Sequence, residues 1–229
     1  MHTQDSDERI HGILREIERD LHRTFPNNLY FGSDKAQKGS MENVLNGEVM
    51  PCNNAYISSL RSILTAFAYY SISSVDLNLE KTCTYQVGYC QSLNFVVGML
   101  LLVFATTSAQ TRIEFESGDV EAVLKVEEKV FWVLVALVEL ILPPEMYGHE
   151  LKGAKEQQQI LWNKIILERG EKYGAEDLKD WYNDFEALIS KCTLLDEIVS
   201  PMETLTTAST PWFLSLFVNI MPPDVIYLK

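Results

Sequence analysis

The sequence is short of positive charge: Lys and Arg number 19 against 32 Asp and Glu, for a formal net charge of −13. Phosphate backbones and anionic lipid surfaces reward Lys and Arg, which argues against a nucleic-acid partner and against unaided membrane binding. Histidine is scarce, at 4 residues, and Cys52, Cys83, Cys90 and Cys192 form no C-x-x-C pair. That pattern reads as reduced thiols in a cytoplasmic protein, with no zinc site. No apolar run reaches the roughly 18 to 20 residues that span a bilayer, so no direct membrane insertion is expected. The runs at 95–105 and 130–142 are shorter, and Glu139 interrupts the second. The polar opening Met1-His2-Thr3-Gln4-Asp5 does not read as a secretory leader, so none is expected. There is no G-x-S-x-G, no P-loop and no H-E-x-x-H, hence no sign of a covalent nucleophile site or of a nucleotide held by the chain itself. A repeat of 30 to 45 residues is also missing, which weakens an α-solenoid scaffold reading.

What is present is apolar text at helical spacing. The chain has 229 residues and is 47% hydrophobic, enough for one large domain or two small ones with a sizeable core. Ile10, Ile13, Leu14, Ile17 and Leu21 make one stripe of a helix over 7–23. Phe25 precedes Pro26, so it is expected to be extended and to stop that helix near Arg23 or Thr24. Leu60, Ile63, Leu64, Phe67 and Ala68 share a face of a second helix over 56–70. The run that follows Phe95 reads as a buried helix. A long helix over 120–142 is stopped by Pro143-Pro144. Two amphipathic helices are expected over 155–168 and 178–192, the second with Trp181, Phe185, Leu188 and Ile189 on one face. In the last, Ser209 is the N-cap candidate and Pro211 falls in the first turn. Residues 29–56, 71–84 and 105–118 lack period and read as loops. The fold class is all-α.

The most informative stretch is Val87-Gly88-Tyr89-Cys90-Gln91-Ser92-Leu93-Asn94-Phe95, a polar hook that leads straight into the apolar helix. On residue types alone, Gln91 and Asn94 either do no more than bond loop backbone, the commoner case, or are held rigidly at the mouth of the helix and presented to something. Upstream, Ile17, Asp20 and Arg23 are followed by Thr24-Phe25-Pro26, and an Asp and an Arg three apart at a helix end commonly form an ordinary surface pair. The wording of both stretches says more. The hook resembles the YxQ motif of the TBC domain family, the GTPase activators of Rab-type small GTPases, whose usual text is close to V-G-Y-C-Q-G-M-N-F-x-x-G-x-L-L. The upstream stretch resembles that family's I-x-x-D-x-x-R motif and the R-T-F-P after it. Phe131-Trp132-Val133-Leu134-Val135-Ala136-Leu137-Val138-Glu139 and Trp212-Phe213-Leu214-Ser215-Leu216-Phe217 resemble two further segments, the first a core helix that gives Phe131 and Trp132 packing roles.

The resemblance implies an all-α TBC-type domain that acts on the GTP-bound form of a Rab-type GTPase in vesicle transport. Arg23 would be an arginine finger and Gln91 a glutamine finger, with Asp20 holding the Arg23 guanidinium and Tyr89 and Asn94 shaping the hook. No cofactor is implied for the chain, since GTP and Mg belong to the partner. The protein would be cytoplasmic, peripheral to endomembranes through the GTPase. Two departures stand out. Ser92-Leu93 replaces Gly-Met, where Leu conserves volume and Ser is a good N-cap. Residues 32–55 are expected to form a mobile insert, and the chain reads as only part of a family domain, without the N-terminal R-x-W motif or the C-terminal helices. Those departures feed the alternative of a non-catalytic helical module that binds a GTPase or another protein.

Overall fold

The structure, a computed structural model, describes residues 2–32, 54–73, 87–192, 201–218 and 220. The expected insert and the connection after Ser73 fall largely outside these residues, as do the side chains of Trp181, Phe185, Leu188 and Ile189. Among the described residues the protein is all-helical. The helices are α1 (His2–Leu21), α2 (Ala55–Ser73), α3 (Leu93–Ala105), α4 (Ala109–Ser117), α5 (Val120–Ala136), α6 (Lys152–Cys192) and α7 (Pro201–Leu214); α5 runs on into a π-helical turn, Leu137–Ile141.

Helix α2 is the hub, packing against α1, α3, α4 and α5. Leu60, Ile63, Leu64, Phe67 and Ala68 are buried, as their spacing predicts. Burying such a side chain contributes about 1.5 to 3 kcal/mol, so this face fixes the arrangement of its neighbours. Helix α3 lies against α1, α2, α4 and α5, with Leu93, Val97 and Leu101 fully buried. At the start of α2, Asn54 Oδ1 accepts from Tyr56 N at 2.9 Å and Ile57 N at 3.4 Å. Its Nδ2 donates to Tyr30 O at 2.8 Å, bringing together the two ends that flank residues 33–53.

Several local expectations fail for identifiable reasons. Residues 109–117 are helix, not loop. Ser108 Oγ accepts from Thr111 N, Gly118 closes the end in the left-handed region at φ 76, and Phe115 anchors the helix in the core. The helices expected at 155–168 and 178–192 are one, because α6 continues through Gly170 and Gly174. Each glycine costs only about 1 kcal/mol of helix propensity, too little to break a long helix. Ser209 is not an N-cap: α7 begins at Pro201, and Pro211 sits in its last turn. Pro211 has no N–H to offer Thr207 O, and Thr207 lies exposed, where water can serve that carbonyl. Trp132 is 55% exposed, its ring packed edge-on against Tyr70 and Phe131 instead of sunk in the core.

Candidate functional site

The end of α1 tightens as it reaches the site. Arg23 N donates to Asp20 O at 3.1 Å and Thr24 N to Leu21 O at 3.2 Å, so the chain keeps turning through Thr24. Phe25 is then left-handed at φ 48, not extended. Its ring explains this departure from the preference before proline: it packs on Phe31 at 5.6 Å and Phe95 at 5.7 Å, and tertiary packing overrides the local bias. Gly98 on α3 makes this approach feasible. A Cβ there would lie 2.9 Å from Thr24 Cγ2 and 3.0 Å from Phe25 Cε2.

The hook crosses over this helix end. Gly88, at φ 62, donates its N–H to Ser71 Oγ at 2.9 Å and passes close to Ile13. Tyr89 is buried, and its hydroxyl donates to Asp20 Oδ2 at 2.8 Å. Burial, the bond to Asp20 and the charge of Asp20 push the Tyr89 hydroxyl well above its ordinary range, so it stays protonated and can donate. Asn94 Nδ2 donates to Thr24 Oγ1 at 2.8 Å and approaches Asp20 O at 3.5 Å, while Thr24 Oγ1 itself donates to Asp20 O at 3.0 Å. Asp20, Thr24, Tyr89 and Asn94 thus form one buried network between segments some 70 residues apart in sequence. Asn94 Oδ1 is buried with no hydrogen-bond partner among the described residues.

Arg23 and Gln91 border this network and face solvent. The Arg23 side chain is 62% exposed, and its Nη1 lies 3.9 Å from Asp20 Oδ1, a loose contact beside the Tyr89 bond that occupies the other oxygen. The Gln91 carboxamide makes no hydrogen bond to any described residue. Among the described residues, nothing covers either side chain. A two-pronged ion pair between Arg61 and Glu18, 2.5 Å at its shorter arm, ties α2 to α1 two residues before Asp20.

Ser92 does not cap α3 with its side chain. Its φ is 90 and ψ −17, and no side-chain capping bond forms. A serine caps from the extended region, which this geometry forbids. Thr24, Ser71 and Gly98 were not singled out from the sequence, although Thr24 belongs to the R-T-F-P text and Gly98 to the G-x-L-L text. A cleft of about 410 Å³ opens elsewhere, between Leu29, Tyr30, Asn54, Tyr56, Arg112 and Glu116. None of the five candidate residues lines it. An arginine and a glutamine that meet a macromolecule need an exposed surface, not a cleft. No group of three or more His, Cys, Asp or Glu among the described residues could hold a metal ion. No single described helix is long and apolar enough to cross a membrane.

A profile of the Rab-GTPase-TBC domain matches residues 50–173, more than half of the chain. The chain belongs to the Rab-GTPase-TBC domain family. It is 31% identical over 220 residues to the GTPase-activating protein MSB4 of Saccharomyces cerevisiae, covering 91% of this chain and 33% of that protein. It is 29% identical over 223 residues to the GTPase-activating protein GYP3 of the same organism, covering 90% of this chain and 26% of the relative. Human TBC1 domain family member 2A is 29% identical over 153 residues, which is 67% of this chain and 11% of that protein. The chain therefore spans a third or less of the length of these relatives. No solved structure gives a significant match.

Proposed function

We propose that the protein activates a Rab-type small GTPase, binding its GTP-loaded form and supplying Arg23 and Gln91 to accelerate hydrolysis. The observation that carries this is the buried Asp20–Thr24–Tyr89–Asn94 network, which locks the two motif segments together while Arg23 and Gln91 remain exposed at its border. Family membership supports the same reading. Hydrolysis of GTP develops negative charge around the β- and γ-phosphates and needs an oriented water. Arg23 offers a planar, permanently charged donor for the first task. Gln91 offers a carboxamide with both a donor and an acceptor for the second. Asp20 and Tyr89 fix the backbone from which these side chains reach. GTP and Mg are the partner's, and the chain needs no cofactor of its own. The setting is vesicle transport, in the cytoplasm and at endomembranes reached through the GTPase.

Phosphate release from a panel of GTP-loaded Rab-type GTPases, with and without the full chain, tests the proposal. Acceleration is expected for at least one member. Acceleration should survive, within about tenfold or roughly 1.4 kcal/mol, when the GTPase's own switch glutamine is changed to Ala, because Gln91 then orients the water. Binding to GTP-loaded partners without acceleration would make the protein a non-catalytic GTPase-binding module and end the activator reading.

A further inference from the structure

The segment carrying Gln91 is a four-residue turn. Leu93 N donates to Cys90 O at 3.1 Å, closing Cys90-Gln91-Ser92-Leu93. Ser92 occupies its third position at φ 90 and ψ −17. Those angles belong to a type II turn, whose third position calls for Gly or Asn because a side chain there is strained. Ser92 gains nothing in return, as its hydroxyl makes no capping bond. A type I turn differs by a flip of the central peptide and places its third residue where serine sits without strain. In this turn the central peptide joins Gln91 to Ser92. Its flip resets the backbone of Gln91 and therefore the rotamers open to the Gln91 side chain.

One group holds the observed form. The Cys90 thiol donates to Gln91 O at 3.5 Å, gripping the carbonyl of the peptide that would flip. Burial, helped by the charge of Glu16, pushes this thiol up to about 11, so at neutral pH it carries the proton it donates.

We propose that Cys90 and Ser92 are opposed positioning residues for Gln91: left-handed Ser92 loosens the turn that presents Gln91, and the Cys90 thiol holds it closed. This rests on the activator reading for its catalytic consequence, but the two-state turn stands on the geometry alone. Relief of the strain should raise the fraction of chains that present Gln91 productively, and with it kcat, while KM for the GTPase is unchanged because the docking surface is the same.

The test is single-turnover GTP hydrolysis on a responsive Rab-type GTPase, paired with amide NMR of the free full chain. Ser92→Gly should raise kcat by up to about twofold, the ceiling when the observed turn is already the major form, and Ser92→Asn should give a smaller gain, following tolerance of the left-handed region. Cys90→Ala should lower kcat about two- to fivefold, and Ser92→Gly should restore it. In a Gln91→Ala background, Ser92→Gly should gain nothing. In the spectrum, the amide signals of positions 91 and 92, each doubled in the wild type, should each become single in Ser92→Gly. A gain that persists without Gln91, or a kcat untouched by Ser92→Gly, overturns the proposal. If no GTPase responds to any variant, the activator reading fails, and the spectra alone decide the turn: a single set of signals shared by wild type and Ser92→Gly rejects it.

Discussion

Two buried polar side chains knit distant segments of this protein together, and they teach opposite lessons. Asp20, 7% exposed, receives the Tyr89 hydroxyl and sits beneath the Thr24–Asn94 bond. Gln158, 1% exposed, donates through Nε2 to Thr206 O at 2.9 Å and Thr210 Oγ1 at 2.8 Å, with Ser209 Oγ at 3.3 Å. Both satisfy the rule that buried polar groups must be bonded. The Gln158 group sews α6 to α7, and its acceptors are hydroxyls and a helix carbonyl within that pair. Among the described residues, the Asp20 group also leaves one acceptor unsatisfied, Asn94 Oδ1, and has an arginine and a glutamine exposed at its border. A buried polar hub by itself marks a joint. What distinguishes the Asp20 hub is what it holds at the surface.

The comparison is sharpest where activity and stability separate. Arg23→Lys should remove most of the proposed acceleration, about 10³- to 10⁵-fold or roughly 4 to 7 kcal/mol of barrier. Lysine keeps the charge and loses the planar fork. Because Arg23 is largely exposed and only loosely paired, the melting temperature should hold. Circular dichroism and phosphate release on the same samples check this, and a lysine variant with near-normal acceleration removes Arg23 from the mechanism. Gln158→Ala should do the reverse. Loss of a fully buried carboxamide leaves a void and unmatched hydroxyls, costing about 2 to 4 kcal/mol. Acceleration measured well below the melting point should be unaffected; a loss of rate with no loss of stability would put Gln158 in the functional surface.

Tyr89→Phe lies between these extremes. It keeps the ring and strips a buried carboxylate of its closest donor, so about 1 to 3 kcal/mol of stability should go. Acceleration should fall as well, since Asp20 and the hook then shift independently. If stability drops while the rate per folded molecule stays at the wild-type level, the network is a joint like that of Gln158 and no more.

The same contrast shows what the sequence could reveal. The hydrophobic faces of α1 and α2 were legible because apolar residues recur at helical spacing and the core obeys that period. The candidate residues were legible because two motifs carry them in order; the bonds that unite them were not, since Asp20 and Tyr89 lie 69 positions apart and no local pattern encodes the pairing. Gln158 was invisible, one glutamine in a polar stretch, because its burial depends on where α7 docks. Helix α4 was missed although Ser108 and Gly118 announce its ends, because polar composition outweighed the caps. Phe25 and Ser92 resisted local reading for a shared reason. Each takes a backbone conformation its residue type disfavours, held by contacts that only the fold supplies.

The smallest effect is a pH dependence at the edge of the same network, and its sign follows from burial. In the unfolded chain a thiol such as Cys90 titrates near 9.0, whereas in the folded protein burial, with Glu16 second, pushes it up to about 11. The unfolded state therefore loses this proton first as pH rises. A group with a raised folded value contributes stability that is fully present below the unfolded value and lost through the folded one. For Cys90 that window runs from about pH 9 to about pH 11. Tyr89 has the same sign, its window opening near 10 and extending higher, because burial and Asp20 hold its hydroxyl protonated. Melting temperatures measured from pH 8 to pH 11 should fall in the wild type more steeply than in Cys90→Ala, with the gap opening first between 9 and 10, before Tyr89 weighs in. Every other ionisable group is common to both proteins, so only the difference between the curves reports Cys90. If the two curves run parallel from 8 to 10, the thiol is not shielded as described, and the grip of Cys90 on the Gln91 carbonyl loses its chemical basis.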